Sequence, residues 1–292
     1  MAKVTLWCGI FLMMLISSKS DAWQQCGQKW ACVEVKYIQD GVEFYLVNRK
    51  AYTITMTLNI KPKRIKQTYR DSEYQHQSQH KVTHSLKGYE RVRVLSYLYT
   101  SKQRRSYSDY DFDFNWAVGR LDAKHDDDFL YRLPFSLSKS YPVVQGFNGG
   151  YSHQGLSRFA VDFAMPVGTE VHAARGGVVV DIESRHNKGG ASRRYGRYAN
   201  FIVIEHNDGT TGEYYHLKQH GVSVSLGDKV KQGQLIGYSG NTGFTSLPHL
   251  HFAVYKALPN GDTQSLPFKF ETIDGVVTYP RHGRQYRVTD DE

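Results

Sequence analysis

The chain has 292 residues, of which 40% are hydrophobic and 13% are aromatic, and its formal net charge is +9. This composition excludes a disordered chain and provides core residues for one large or two modest domains. The positive charge favours contact with polyanions, which outside the cytoplasm include cell-wall polymers and anionic lipids. No nucleic-acid-binding motif accompanies the charge, so we expect no nucleic acid partner.

The first 22 residues have the pattern of a secretory signal peptide. Lys3 provides the positive charge, an apolar run extends from Val4 to Ile16, and Ser20-Asp21-Ala22 is the predicted cleavage site. The run is short for a bilayer span, and an uncleaved anchor is the alternative. We therefore predict an exported protein, periplasmic or secreted, with residues 1–22 removed and no integral membrane segment in the remainder.

The cysteines fit an exported protein. Cys8 lies inside the apolar run of the predicted signal peptide, so Cys26 and Cys32 remain as a pair after cleavage. An even pair in an exported chain favours a disulfide. Neither thiol is then available as a nucleophile or as a metal ligand.

Apolar and polar residues alternate from Cys32 to Val118, as they do in half-buried antiparallel strands. The alternation is clearest from Tyr52 to Ile60, and Asp40-Gly41 predicts a hairpin turn. The polar stretch from Lys66 to His84 is interpreted as a long loop. Residues 23–128 are therefore predicted to form a β-sandwich-like domain, which contains no recognisable catalytic constellation.

A second, mainly β domain is predicted over residues 129–271, after the acidic linker Asp126-Asp127-Asp128. Its apolar strands are separated by glycines. Asp162 lies inside the apolar stretch Phe159–Met165, where a carboxylate needs a cation or another partner. Residues 272–292 are polar and are predicted to form an exposed tail.

Two histidines separated by one residue, His249 and His251, begin a predicted strand. Side chains at positions i and i+2 lie on one face of a strand, so both imidazoles point the same way. Both could bind one zinc ion, or one could bind it while the other transfers protons. His153 and Asp162 precede the pair in the sequence, and His216 ends an aromatic strand, so the chain contains the further ligands and bases that such a centre requires.

The motifs in this part of the chain resemble, in family order, the lysostaphin or LytM-type zinc metallopeptidases. They lie between Leu133 and Phe270 and comprise His153 with Asp162, Gly168–Val171 with Ala173–Val179, Tyr214–Leu217, Gly227–Gly237, and Pro248–Phe252. The resemblance implies an antiparallel β-sheet peptidase domain that cuts peptide cross-links or bridges of peptidoglycan. The export signal and the positive charge suit that substrate.

Carried over residue by residue, the resemblance makes His153, Asp162 and His251 the ligands of one Zn²⁺ per chain. His216 and His249 become catalytic histidines that do not bind the metal. Three protein ligands leave a fourth position for water, which zinc activates for attack on a carbonyl. The two histidines would accept the water proton, stabilise the oxyanion and protonate the leaving amine, and the division of these roles is open.

Two features depart from the family pattern. Eight residues separate His153 from Asp162, where three are usual, so the intervening loop is expected to bulge. The segment Arg185–Tyr198 is longer than the usual turn and is either a basic rim that recognises wall carboxylates or a mobile solvated loop. Asn200 matches a recurrent family asparagine, for which a role in orienting substrate is the expectation.

The resulting hypothesis is a zinc-dependent peptidoglycan endopeptidase, and D,D-specificity is preferred because no glycine-bridge targeting module is evident. The alternative is a non-catalytic LytM-type regulator that activates other wall hydrolases, with a protein partner bound by the N-terminal domain. Degenerate members lack one or more of the five site residues, and all five are present here, which favours the enzyme. A zinc-stabilised carbohydrate-binding protein would need closed four-ligand coordination. Because the linker is short, we expect the N-terminal domain to cover or position the catalytic groove.

Overall fold

The structure is a computed structural model that describes residues 22–27, 29–63, 65–69, 80–99, 110–137 and 139–289. Apart from Ala22, the predicted signal peptide lies outside these residues. Within them, no helix has both the length and the apolar character needed to cross a membrane. The regular structure of the described residues is almost entirely β-strand, as the sequence predicts.

The described N-terminal residues form two antiparallel sheets. The strands are β1 (Ala22–Gly27), β2 (Ala31–Ile38), β3 (Gly41–Asn48), β4 (Ile54–Pro62), β5 (Ile65–Tyr69), β6 (Lys81–Leu86), β7 (Arg91–Tyr99) and β8 (Tyr110–Val118). One sheet has the order β1-β2-β3-β7-β5 and the other has the order β6-β4-β8. Apolar side chains from both sheets form one core, which confirms the predicted sandwich.

The predicted hairpin and disulfide are both present. β2 and β3 pair with Ile38 opposite Gly41, where a Cβ atom would collide with the carbonyl oxygen of Tyr97. Cys26 on β1 lies opposite Cys32 on β2, and the two form a disulfide. The bond therefore fastens the first strand to the sheet.

The interpretation of Lys66 to His84 as a long loop is wrong at both ends. The first residues belong to β5 and the last to β6, and the middle of the stretch lies outside the described residues. β6 pairs with β4, where the hydroxyls of Thr57 and Thr83 are 2.8 Å apart. Polar side chains that bond across strands are compatible with a sheet, so polarity alone was a poor loop signal.

The C-terminal residues contain sixteen described strands. They are β9 (Leu130–Arg132), β10 (Val143–Gln145), β11 (Ala160–Phe163), β12 (Glu170–His172), β13 (Gly177–Glu183), β14 (Gly189–Gly190), β15 (Phe201–Glu205), β16 (Thr211–Tyr215), β17 (Leu217–Val222), β18 (Lys229–Val230), β19 (Leu235–Ser239), β20 (Gly243–Phe244), β21 (Leu250–Ala257), β22 (Thr263–Leu266), β23 (Lys269–Thr272) and β24 (Gly275–Val277). Short 3₁₀ helices span Gly155–Ser157, Arg193–Tyr198 and Pro259–Gly261.

One antiparallel sheet is the frame of this part of the chain. Its order is β10-β11-β21-β16-β15-β13-β18, and β22 pairs with β21 beside that path. Smaller groups, β12-β19-β17 and β24-β23-β9, surround it. Leu250 and Phe252 on β21 point into the main core on one face, and His251 and Ala253 point to the opposite face.

The N-terminal sandwich packs on the face of this sheet that carries His251. Residues directly opposite one another in neighbouring strands share a face, and the register runs from His251 to Tyr215 to Phe201. Phe201, Val203 and Val180 pack into the core of the sandwich. The sandwich therefore lies on the same sheet face as the candidate site. It packs against β13 and β15, which are farther from the site than β11 and β21 are.

The last segment is partly packed, although most of its described residues are exposed. β24 pairs with β23, and Gln285 bridges to Pro142. Val288 is only 2% exposed and belongs to the main core. The polar composition of residues 272–292 predicted an exposed tail, but the buried side chain of Val288 holds this segment against the core.

Removal of the N-terminal sandwich is expected to destabilise the rest of the chain. A protein of residues 129–292 would expose Phe201, Val203 and Val180 to water, at roughly 25 cal/mol for each Å² of apolar surface uncovered. We expect a lower melting temperature than that of the full chain and strong binding of a dye for apolar surfaces. A melting curve equal to that of the full chain, without dye binding, would contradict this packing.

Glu213 makes folding stability depend on pH. Its neighbours in the strand register are Val203 on β15 and Ala253 on β21, so it lies on the sheet face against which the sandwich packs. Burial raises its pKa to about 7 despite a hydrogen bond with Tyr215. A raised carboxyl pKa favours folding while the group is protonated in both states. The free energy of unfolding should therefore fall as pH rises from about 4.5 to about 7, by roughly 3 kcal/mol.

The substitution Glu213→Gln keeps the shape and removes the charge. Denaturant titrations of metal-free protein at pH 5 and pH 8 should show that Gln at this position stabilises the protein relative to wild type at pH 8 more than at pH 5. A difference between the two proteins that is independent of pH would exclude a raised pKa for Glu213.

Candidate metal centre

Two candidate ligands lie side by side on the adjacent strands β11 and β21. Asp162 is directly opposite His251 in the antiparallel register, so the two side chains share a face. Asp162 Oδ1 is 2.8 Å from His251 Nδ1. Backbone pairing of the strands, rather than a loop conformation, therefore determines the position of this pair.

His153 reaches the same point from the loop between β10 and β11. Its Nε2 is 3.2 Å from Asp162 Oδ1, and its Nδ1 donates to the carbonyl oxygen of Gly146 at 2.9 Å. The loop that follows includes the 3₁₀ turn Gly155–Ser157, which accommodates the residues by which it exceeds the family spacing. His153 is fully buried, so its ring is held in one orientation.

His153, Asp162 and His251 together could hold a metal ion. One donor atom from each lies within 4.8 Å of the others. Burial alone would raise the pKa of Asp162, but hydrogen bonds from His153 and His251 hold that pKa well below its usual range. Burial also lowers the pKa of His251, which favours the neutral ring that a metal ligand requires. Two imidazoles and an ionised carboxylate suit a transition metal such as zinc.

His216 and His249 lie together beside this group. Their ring centroids are 4.5 Å apart, and His249 Nε2 is 3.8 Å from Asp162 Oδ1. His216 Nδ1 donates to the carbonyl of Thr242 at 2.7 Å, and His249 Nδ1 faces the carbonyl of Leu247 at 2.8 Å. A ring nitrogen that faces a carbonyl oxygen must carry the proton, so Nε2 of each neutral ring is free to accept one.

The backbone of His216 is in the left-handed region, with φ of 69°. This conformation is uncommon for a residue with a side chain and persists only where the surroundings determine it. Burial, together with the neighbouring His249 and His251, lowers the pKa of His216 to about 3. The ring is therefore neutral at physiological pH and can act as a proton acceptor.

Four of the five predicted site residues line one pocket of about 140 Å³. The lining residues are Val144, Gln145, Tyr151, Ser152, Asp162, His216, Phe244, Thr245, Ser246, Leu247, His249 and His251. His153 does not line the pocket but contacts Asp162 directly. All five predicted residues thus meet at one place, although the sequence separates the first from the last by almost a hundred positions.

Gln145 is a site residue that the sequence analysis missed. Its amide nitrogen donates to Asp162 Oδ2 at 3.0 Å and to the hydroxyl of Ser152 at 2.7 Å. Its amide oxygen accepts the backbone N–H groups of Tyr151 and Ser152, which lead into His153. Gln145 directly follows two valines in β10, but nothing in the sequence indicates that its partner is Asp162.

Asn200 supports the site from behind rather than facing the pocket. It is fully buried, and its side-chain nitrogen donates to the carbonyl oxygens of His186 and Leu217. Its side-chain oxygen accepts the N–H of His186. Every hydrogen-bonding atom of the side chain bonds to the backbone of His186 or of Leu217, the residue after His216, so any role in orienting substrate would act through that backbone and not by direct contact.

The sequence pattern of Peptidase family M23 matches residues 157–265. The chain is 41% identical over 112 residues to the glycyl-glycine endopeptidase ALE-1 of Staphylococcus capitis, a stretch that covers 38% of this chain and 26% of that protein. It is 34% identical over 122 residues to the peptidoglycan DD-endopeptidase ShyA of Vibrio cholerae, which covers 40% of this chain and 26% of ShyA. The chain thus spans about a quarter of the length of these curated relatives.

Among solved structures, the catalytic domain of the antimicrobial peptidase lysostaphin from Staphylococcus simulans is similar to this chain. The sequence identity is 32% and the TM-score is 0.30, and the match covers 44% of this chain and 87% of the other.

Replacement of Gln145 tests whether the hydrogen bond to Asp162 orients a ligand. Gln145→Leu removes the donor to Asp162 Oδ2, and a lost outer partner of this kind typically weakens metal affinity by about 10- to 100-fold. Competition with a chelator of known affinity would measure the change. Gln154→Leu, at an exposed position of the same loop, is the control and should leave the affinity unchanged. Equal affinities for the two variants would refute this role.

Proposed function

Because residues 157–265 carry a Peptidase family M23 domain, we propose that this protein is a zinc-dependent endopeptidase that hydrolyses peptide cross-links of peptidoglycan. The observation that carries the proposal is the convergence of two sets of residues. A His–Asp–His group has donor atoms within 4.8 Å of one another, and His216 and His249, whose ring centroids are 4.5 Å apart, lie beside it. Relatives that are endopeptidases, one of them acting on peptidoglycan, support the substrate class.

His153, Asp162 and His251 would hold the zinc ion. Bound there, zinc supplies a lowered pKa for water and polarises the scissile carbonyl. Asp162 contributes the negative charge of the ligand set, and its second oxygen remains bonded to Gln145. The Nδ1–H bond from His153 to Gly146 fixes which ring nitrogen faces the metal.

His216 and His249 would move the protons. One Nε2 accepts the proton of the attacking water as the water oxygen bonds to the carbonyl carbon. A proton from one of the two histidine rings is then transferred to the amine nitrogen as the C–N bond breaks. Once a ring has taken up a proton, its Nε2–H can also stabilise the negative charge of the developing oxyanion. No covalent bond between the protein and the substrate is required.

We also propose D,D-specificity and an exported location. The match to the peptidoglycan DD-endopeptidase ShyA supports the preference for D,D-bonds. The predicted signal peptide and the Cys26–Cys32 disulfide support export to an oxidising compartment. A purely regulatory role would not require His216 and His249 beside the metal group, which is the observation that argues against it.

Separate substitutions distinguish metal binding from catalysis. His216→Asn is chosen because asparagine tolerates the left-handed backbone at this position. The variant should retain about one zinc per chain and release cross-linked muropeptides from purified peptidoglycan at least about 100-fold more slowly than wild type. His251→Ala should lose both the zinc and the activity.

His220→Asn serves as the matched control, since His220 is exposed and also has a positive φ. Chromatography with mass spectrometry of the released fragments and metal analysis of each protein provide the two readouts. Zinc-loaded wild type that releases no fragment from any peptidoglycan type would overturn the enzyme proposal and favour the regulator.

A further inference from the structure

Residues 188–198, here called the basic loop, are fastened beside the pocket. β14 in this loop pairs in parallel with β20, so that Gly189 lies opposite Gly243. The N–H of Gly243 bonds to the carbonyl of Lys188 at 2.9 Å, and the N–H of Thr245 bonds to the carbonyl of Gly190 at 3.1 Å. A Cβ atom at Gly189 would collide with the backbone of Asn241. The loop is thus a packed part of the structure, not a solvated excursion.

Four cations of the basic loop are exposed and lie over aromatic rings. Lys188 and Arg197 lie 5.5 and 4.9 Å from the ring centre of Tyr198, Arg194 lies 5.2 Å from that of Tyr195, and Arg193 lies 5.8 Å from that of Phe244. Among the described residues, none of these four cations forms an ion pair with a carboxylate. The contacts with the rings hold the guanidinium groups in place. Arg197 also donates to the hydroxyl of Tyr198, whereas no described residue accepts a hydrogen bond from the side chain of Arg193 or Arg194.

Arg193 connects the basic loop to the catalytic pocket. The ring of Phe244 beneath it lines that pocket, and Tyr151 stacks on the same ring with centroids 5.6 Å apart. Thr245, bonded to the loop backbone, also lines the pocket. A peptide bound across the candidate metal group would therefore extend past Phe244 toward the arginines.

We propose that the basic loop binds a free carboxylate of the substrate peptide and thereby selects stem peptides whose side carboxylates are ionised over those in which they are amidated. The inference rests on the proposed function, because it assigns the substrate class of that same pocket. Arginine recognises carboxylates through paired, charge-assisted N–H bonds, which an uncharged amide cannot replace. Arg193, nearest to the pocket lining, and Arg194 beside it are the residues that carry the preference.

The test uses zinc-loaded full-length protein and two synthetic cross-linked peptides that differ only in amidation of their free carboxylates. Binding is measured in the His216→Asn background, so that the peptide is not cleaved during the measurement. Cleavage is measured in protein that retains His216. Arg193→Gln/Arg194→Gln removes two charges at the loop. The control, Lys229→Gln/Lys231→Gln, removes two exposed charges on and next to β18, at the opposite edge of the sheet from β10.

We expect the free-carboxylate peptide to bind about tenfold more tightly than the amidated one, and the arginine variant to lose that difference. The control variant should keep it. In the cleavage assay the arginine substitutions should raise KM for the free-carboxylate peptide with little change in kcat. Equal binding of the two peptides by the parent protein, or an unchanged preference in the arginine variant, would overturn the inference. Preferential binding without any cleavage by wild type would instead leave the inference standing and refute the proposed enzymatic function.

Discussion

The candidate site depends on the pairing of β11 with β21, which sets Asp162 directly beside His251. An ionised carboxylate in a sheet face shielded from water costs several kcal/mol unless its neighbours compensate for the lost hydration. Here His251 and His153 contact one oxygen, and Gln145 donates to the other. A bound cation would further stabilise the buried charge of Asp162, so metal binding should also stabilise the fold around this carboxylate.

The sheet face that carries this charge also supports the N-terminal sandwich. A row of ring side chains in contact runs across three strands, with ring centroids 5.2 Å apart between Phe201 and Tyr215 and 6.0 Å apart between Tyr215 and His251. Phe201 packs into the sandwich core, and His251 belongs to the metal group. The sandwich is therefore a structural support of the strands next to the site, which a chain of two independent domains joined by a short linker would not provide.

Much of this arrangement could be predicted from the sequence, because it depends on local patterns. Alternation identified the sandwich strands, and the i, i+2 spacing placed His249 and His251 on one face of a strand. Gln145 and the backbone role of Asn200 were not predictable in the same way. Their partners lie on other strands or loops, and a single amide residue has no periodicity to reveal which backbone groups it will bond. The polar residues of β6 predicted a loop, but the hydroxyl of Thr83 there bonds to that of Thr57 on the paired strand.

Four of the 37 lysine and arginine residues lie in the basic loop, and their surroundings differ from those of the arginines on the sandwich. On the sandwich, arginines are matched with acids, as in Arg91 with Glu34 at 2.7 Å and Arg93 with Glu43 at 2.8 Å. The cations of the basic loop have no such partner among the described residues, and aromatic rings rather than carboxylates hold them in place. Self-repulsion among unpaired cations costs stability, and a sequence that served only solubility would spread them apart. Their concentration beside the pocket that contains His216 is instead what an anionic peptide would require on its approach to the metal group.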